Sequence, residues 1–430
     1  MHSLSILLRA LSVCALAVAA LGVAPAWAQD QPQASDRGGA LRVFLDCGSC
    51  DENYFRTEVT FINYVRDRAD AEVHVLVTTQ GTGGGGVEYT IKYIGLGRFA
   101  GVDHVLTHFS QQTQTADERR AGLVATFRLG LIRYAAETPL ASRLKVTFDA
   151  PKESGAKQPV TDPWNYWIFN IGANGSVEGQ ESGDEKRING SFSANRTTNA
   201  WKMNFTSFAS YSQEEFVLDE GETFTSVSRN IGANALVAKS LSDHWSLGGV
   251  WALQSSIFAN YDLRMRAGGG LEYDIFPYAE STRRILALLY TVGMERAEYQ
   301  ETTIFGKDDE TLMDHRFETT LNLRQPWGSA SASFETVQYL SAPSKYRIST
   351  YGNVEIRVFK GFSVELYGQA SRRRDQLSLR RGNATNEEIL VRQRELATGY
   401  QYDVGFGISY SFGSIFNNIV NPRFRNAGGF

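Results

Sequence analysis

The sequence predicts an α+β domain followed by an all-β transmembrane antiparallel β-barrel of about twelve strands. Three observations predict it. The N-terminus reads as a secretory signal, the next hundred or so residues mix strand and helix periodicities, and the remainder alternates apolar and polar residues over runs of about ten.

Arg9 is followed by an apolar run over residues 10–23 and by the small-residue site Ala26-Trp27-Ala28, so cleavage is expected before Gln29 and residues 1–28 form a signal peptide. The run is shorter than the roughly 20 residues of a spanning helix. Cys14, with bulky Val13 before it, lies too early for a lipoprotein signal. Residues 29–40 are polar, with Pro, Ser and Gly, and read as a flexible leader. No later apolar run is long enough to span as a helix. Alternating strands, however, cross a bilayer with ordinary hydropathy, and a mean hydropathy of -0.28 with 12% aromatics suits them. A formal net charge of -4 argues against nucleic acid as a partner.

The α+β domain is expected over residues 41–149. Residues 41–45 make a short buried-strand run, and Phe55, Val59, Ile62 and Val65 recur at helical spacing from Asp51. A strand is expected over 72–79, a glycine-rich turn over 79–86, a returning strand over 87–94 and another strand over 103–109. Thr115 with Glu118 three residues on is a capping box opening a helix to about Ala136. The order is β-α-β-β-β-α, with a closing strand expected over 144–148.

Residues 150–163 contain Pro151, Gly155, Pro159 and Pro163 and read as a linker; the barrel is expected over 164–412, with a tail over 413–430. The last strand is the clearest. Tyr400, Tyr402, Val404, Phe406, Ile408, Tyr410 and Phe412 share one face, and Gln401, Asp403, Gly405, Gly407, Ser409 and Ser411 share the other. Residues 245–257 and 313–324 behave alike, the latter setting Met313, His315 and Phe317 against Asp314, Arg316 and Glu318. The pattern recurs over 167–177, 187–196, 201–211, 227–241, 265–275, 286–294, 330–340, 346–358 and 362–370. A soluble sandwich also alternates, but its strands average about 5 to 6 residues.

A charge facing lipid costs about 2 to 4 kcal/mol at mid-bilayer. Asp262, Arg264, Glu295, Arg316, Glu318, Glu335, Arg357, Glu365, Arg373 and Asp403 are therefore expected to face a lumen, as a mutually neutralising lining. Tyr410 and Phe412 resemble the C-terminal signal by which outer-membrane proteins are recognised for insertion, which implies the barrel-assembly machinery as a partner, although here the chain continues beyond it. Leu263-Arg264-Met265-Arg266-Ala267-Gly268-Gly269-Gly270-Leu271-Glu272-Tyr273 resembles the barrels grouped as salt-induced outer-membrane proteins. The N-terminal element order is similar in topology to the periplasmic domains of the TolB and curli-secretion proteins. These resemblances imply an outer-membrane location with the first domain in the periplasm; neither family comparison supplies catalytic residues.

Cys47-Gly48-Ser49-Cys50 between a strand and a helix start is expected to be a structural disulfide, with a redox pair or a zinc site as alternatives. Zinc needs further ligands, and His74, His104 and His108 are the ones nearby. The run 83–86 lacks the Lys-Ser/Thr of a phosphate loop and reads as a turn. No nucleophile-base-orienter cluster is visible at the barrel rim, so no catalytic residue, metal or cofactor is assigned. Residues 378–399, with Arg380 and Arg381, are expected to form a long extracellular loop that either contacts lipopolysaccharide or is simply solvated. The expected function is a non-enzymatic channel or envelope module whose periplasmic domain docks another protein or gates the lumen. A barrel enzyme acting on lipid A or phospholipid, and a structural anchor, are the alternatives.

Overall fold

The computed structural model describes residues 37–83, 85–145, 147, 162–217, 223–382 and 397–420. The expected signal peptide and most of the leader, linker and tail lie outside them.

The first domain runs β1 (Leu41–Asp46), α1 (Glu52–Glu58), β2 (Ile62–Tyr64), β3 (Val73–Gly81), β4 (Val87–Gly95), β5 (His104–Ser110) and α2 (Ala116–Ala135). Its five-stranded sheet has the order β2-β1-β3-β4-β5, with β1 parallel to both neighbours and the rest antiparallel. The helix starts follow from their caps. Asp51 accepts a hydrogen bond from the Tyr54 amide at 3.1 Å, and Thr115 and Glu118 form the reciprocal capping box of α2.

α1 is shorter than its apolar spacing predicts. After Glu58 the chain reads Val59-Thr60-Phe61-Ile62, three of the four β-branched, and Ile62–Tyr64 extends into a strand in register with Leu41–Val43. The apolar positions that suggested a helix are buried, but only Phe55 lies within it: Val59 is the C-cap, Ile62 is in the strand and Val65 is in the bridge after it. The expected closing strand is absent at Leu144, Lys145 and Thr147, and positions 146 and 148 lie outside the described residues.

α2 packs on β4 and β5 and closes a core of Leu41, Val43, Phe55, Ile62, Val75, Ile91, Phe127 and Leu131. Gly130 permits the close approach. A Cβ there would lie 2.1 Å from Cζ of Tyr93, whose hydroxyl donates to the carbonyls of Thr126 and Phe127.

Twelve antiparallel strands follow in an up-and-down barrel meander, each paired with its sequence neighbours. They are β6 (Trp167–Gln180), β7 (Gly183–Thr197), β8 (Trp201–Val217), β9 (Thr223–Ser240), β10 (Trp245–Ser256), β11 (Tyr261–Asp274), β12 (Arg284–Tyr299), β13 (Asp309–Gln325), β14 (Gly328–Tyr339), β15 (Tyr346–Phe359), β16 (Phe362–Arg373) and β17 (Tyr400–Tyr410). They run 11 to 18 residues, and ten of the twelve exceed the runs expected from alternation alone, because polar and glycine positions at the ends continue the ladders; β10 and β17 stop one and two residues short of theirs. β6 and β17 are the edges of the sheet, and among the described residues no ladder joins them.

The side chains sort by the pleat. Register pairs Glu295 with Leu312, Gly293 with Asp314, Arg316 with Val337 and Glu335 with Ser349 on the inner face. The other face carries Leu247, Trp251, Met294, Met313, Leu366 and Phe406, all exposed.

Candidate functional site

The inner face has two unlike walls. Along β6 to β9 it is amide and hydroxyl, with Asn170, Asn174, Asn189, Ser193, Asn195, Asn204 and Asn234 in register; the Asn204 amide donates to Asn195 at 2.7 Å and Asn189 to Asn174 at 2.9 Å. Along β11 to β15 it is ionic. Arg266 grips Asp314 with two hydrogen bonds of 2.7 and 2.9 Å, and Arg316 reaches the same carboxylate at 2.9 Å. Arg264 donates to Glu295 at 2.7 Å, and Arg347 joins Glu335 at 3.0 Å and Asp375 at 3.5 Å. Asp314 and Glu295 are 0% and 1% exposed, a burial that carboxylates tolerate only when paired.

Glycines make the room. A Cβ on Gly293 would meet the Arg266 guanidinium at 2.7 Å, and Gly268 pairs with Gly293 on the inner face between Arg266 and Gly270. The Gly268-Gly269-Gly270 run thus lets an arginine cross from β11 to β13 inside the lumen.

At the end where β6 to β16 turn through β6–β7, β8–β9, β10–β11, β12–β13 and β14–β15, the segment after β16 folds inward. The Ile304 amide donates to Leu379 at 2.8 Å, and the Arg381 amide donates to Thr302 at 2.9 Å. Asn260 spans two segments, its amide donating to the carbonyls of Glu301 at 2.8 Å and Ser378 at 2.9 Å. Leu377 is buried with Leu312 and Tyr339. Residues 374–382, which include the start of the loop expected over 378–399, therefore lie across the mouth; residues 383–396 lie outside the described residues.

The α+β domain docks on the opposite end, where the turns are short. Arg357 at the end of β15 makes two hydrogen bonds to Asp46, at 2.5 and 2.8 Å, and lies over the Phe44 ring at 5.2 Å. In the β15–β16 turn, Lys360 meets Asp70 at 2.6 Å and the Gly361 amide donates to Asp67 at 2.5 Å. The segment after β17 returns to the same domain. The Arg66 amide donates to Ile415 at 2.9 Å, the Asn417 amide to Tyr64 at 2.8 Å and the Tyr64 amide to the side chain of Asn418 at 2.7 Å, so the tail extends the β2 edge of the sheet.

Asp46 is a junction of three groups. His74, 0% exposed, lies 3.0 Å from it through Nε2. Burial pushes the Asp46 carboxyl up, but hydrogen bonds from Arg357 and His74 and the charge of Arg357 outweigh that and hold it at about 2. Burial lowers the His74 pKa against the opposing pull of Asp46. His74 is then neutral with its proton on Nε2, which leaves Nδ1 the buried nitrogen with no hydrogen-bond partner.

Cys47 and Cys50 form a disulfide between the end of β1 and the start of α1, directly after Asp46. His74 binds Asp46, His104 stacks on Tyr93 at 4.5 Å and His108 faces Thr126 at 3.3 Å, so the three histidines do not converge. Of the acidic and basic residues expected in the lumen, Arg264, Glu295 and Arg316 fall in the buried ion cluster. Glu318, Glu335 and Arg373 line one cavity with Gln369 and Gln401. Glu365 accepts from Asn353 at 3.1 Å, Asp403 pairs in register with Gln369, and Arg357 leaves the lumen to clamp the domain. Asp262 departs from expectation, because a register shift between Tyr261 and Leu263 puts it on an exposed bulge. Tyr410 and Phe412 stack on one another at 5.5 Å on the exposed face. Sequence reading missed the Asp46–Arg357 clamp, the tail on β2 and the roles of Arg347, Asp375 and Asn260. Only contacts remote in sequence create them.

No family model matches the chain, and no curated protein matches it. Among solved structures it is similar to a NanC porin, at 9% identity and a TM-score of 0.26 over 56% of this chain and 99% of that one. It is also similar to the β domain of the Bordetella autotransporter Brka, at 12% identity and a TM-score of 0.27 over 57% of this chain and 98% of that one.

Proposed function

We propose that the protein is a non-enzymatic outer-membrane barrel whose lumen is a closed conduit, with the α+β domain as its periplasmic gate. One observation carries the membrane placement: the sheet is inside out. Ile171 and Phe406 on the outer face are 85% and 79% exposed, while Asp314 and Glu295 on the inner face are buried. An apolar surface this extensive is unfavourable in water and suits hydrocarbon. Aromatics crowd its domain-side rim, where Trp245 packs on Tyr273 and Phe359 stacks on Phe362, as interfacial girdles do. An even strand number returns both termini to one side, and the short turns there suit the periplasm.

The gating role rests on the two obstructed ends, the docked domain at one and residues 374–382 at the other. The resemblance of residues 263–273 to salt-induced outer-membrane proteins agrees with an envelope role. Planar-bilayer recording of the folded protein tests the conduit. Wild type is expected to conduct weakly, and a variant with Arg357→Ala, which loosens the domain, to conduct more. Absence of conductance from both removes the conduit and leaves the anchor reading.

A further inference from the structure

A cavity of about 830 Å³ lies where the domain meets the barrel, within the size range of small-molecule sites. Its wall is strongly basic. Arg42, Arg66, Arg68, Arg98, Arg357 and Lys360 line it, against Asp67, Asp70 and Glu72.

Each carboxylate is already engaged. Glu72 pairs with Arg98 at 2.8 Å and lies 3.8 Å from Arg42; Asp70 pairs with Lys360; Asp67 accepts from the Gly361 and Ala69 amides. Arg357 is held by Asp46. That leaves Arg66 and Arg68, two residues apart on the turn after β2, with no carboxylate of the described residues within salt-bridge distance. Nε of each is buried without a hydrogen-bond partner among the described residues, and the Arg66 guanidinium reaches only the Gly413 carbonyl there, in a long 3.5 Å contact. The buried Oδ2 of Asp70 also lacks a partner, but its other oxygen is committed to Lys360. Two guanidinium forks without counter-charge, in a cavity of ligand size, call for an anion that accepts several N–H donors at once. Ser363, Ser409 and Ser411 add hydroxyls on the barrel side.

From this geometry we infer that the domain–barrel cavity binds a phosphate group through Arg66 and Arg68. The phosphate belongs either to a free solute that passes the lumen end or to a lipid headgroup at the nearby rim. Binding does not depend on conduction, so a failure here and a failure of the conduit reading are separate results.

The test uses the full-length protein in dodecyl maltoside micelles, which carry no phosphate, titrated with inorganic pyrophosphate at constant ionic strength and followed by calorimetry. Saturable binding is expected, weakened at least about tenfold in Arg66→Gln and in Arg68→Gln, the loss of a charge-assisted hydrogen bond. Arg68→Lys, which keeps the charge but not the fork, is expected to fall between. Arg119→Gln, on α2, is expected to bind as wild type. If pyrophosphate also binds in phosphatidylglycerol discs, the ligand is a free phosphate; if phosphatidylglycerol abolishes binding, the headgroup occupies the cavity. No saturable binding in the phosphate-free micelles, or equal affinity in folded Arg66→Gln and Arg68→Gln proteins, overturns the assignment.

Discussion

Replacing Asp46 with Asn should loosen the docked domain without unfolding it. The carboxyl sits at about 2 in the folded protein against an ordinary 3.8, because Arg357 and His74 favour its charged form. At 1.36 kcal/mol per pKa unit that depression corresponds to roughly 2 kcal/mol, or about a thirtyfold change in an equilibrium. Asn keeps the shape and one acceptor but removes the charge that Arg357 grips through two hydrogen bonds. Hydrogen exchange read by mass spectrometry at pH 7 is the assay. The amides of Tyr64, Arg66 and Asn417, which bond between the domain and the segment after β17, are expected to exchange about thirtyfold faster, while peptides of α2 keep their protection. Wild type should show the same loosening with acid. Because the Asp46 pKa is depressed in the docked state, its contribution is whole above about pH 4 and fades as pH falls through about 2. Unchanged exchange at the junction in a folded Asp46→Asn protein would refute the clamp.

Four further outcomes follow from the same structure. Asp314→Asn leaves Arg266 and Arg316 without their carboxylate and is expected to cost about 3 to 5 kcal/mol, read as a lower temperature for loss of the folded band in detergent gels, whereas Asp403→Asn leaves that temperature unchanged. Gly130→Val drives a side chain into the Tyr93 ring and is expected to cost the domain about 1 to 3 kcal/mol, seen in near-UV circular dichroism while the barrel stays heat-modifiable. Paired Cys47→Ser and Cys50→Ser changes open a short loop and are expected to lower domain stability by about 2 kcal/mol on the chain-entropy account, measured by denaturant unfolding. Deleting residues 376–397 removes the in-folded segment and is expected to raise single-channel conductance relative to wild type; equal conductance would mean the segment does not obstruct the lumen.

Legibility in the sequence followed the range of the forces. The barrel strands were readable because the pleat imposes a period of two over many residues, so Met313 and Asp314 declare opposite faces without any tertiary information. The capping box at Thr115 and Glu118 is equally local. The end of α1 was not readable, since Phe55, Val59, Ile62 and Val65 are buried whether the chain after Glu58 coils or extends, and pairing with Leu41 and Val43 decides it. Charge alternation marked Glu295 and Arg316 as inward, but nothing local distinguished Arg357, which leaves the lumen for Asp46 more than three hundred residues away. Asp262 was misplaced for a related reason: a one-residue bulge shifts the register and leaves no trace in composition. The tail beyond Phe412 does not continue the alternating strand, and only the unpaired edge of β2 gives it a place.

Spin labels at two adjacent positions of β16 test the central claim most directly, in the order of pleat that the structure assigns. A label introduced by Leu366→Cys in lipid discs should relax with membrane-dissolved oxygen and resist a water-soluble nickel reagent, and one introduced by Glu365→Cys should do the reverse. Equal water access at both positions would contradict a sheet that turns its apolar face to lipid and its charges inward.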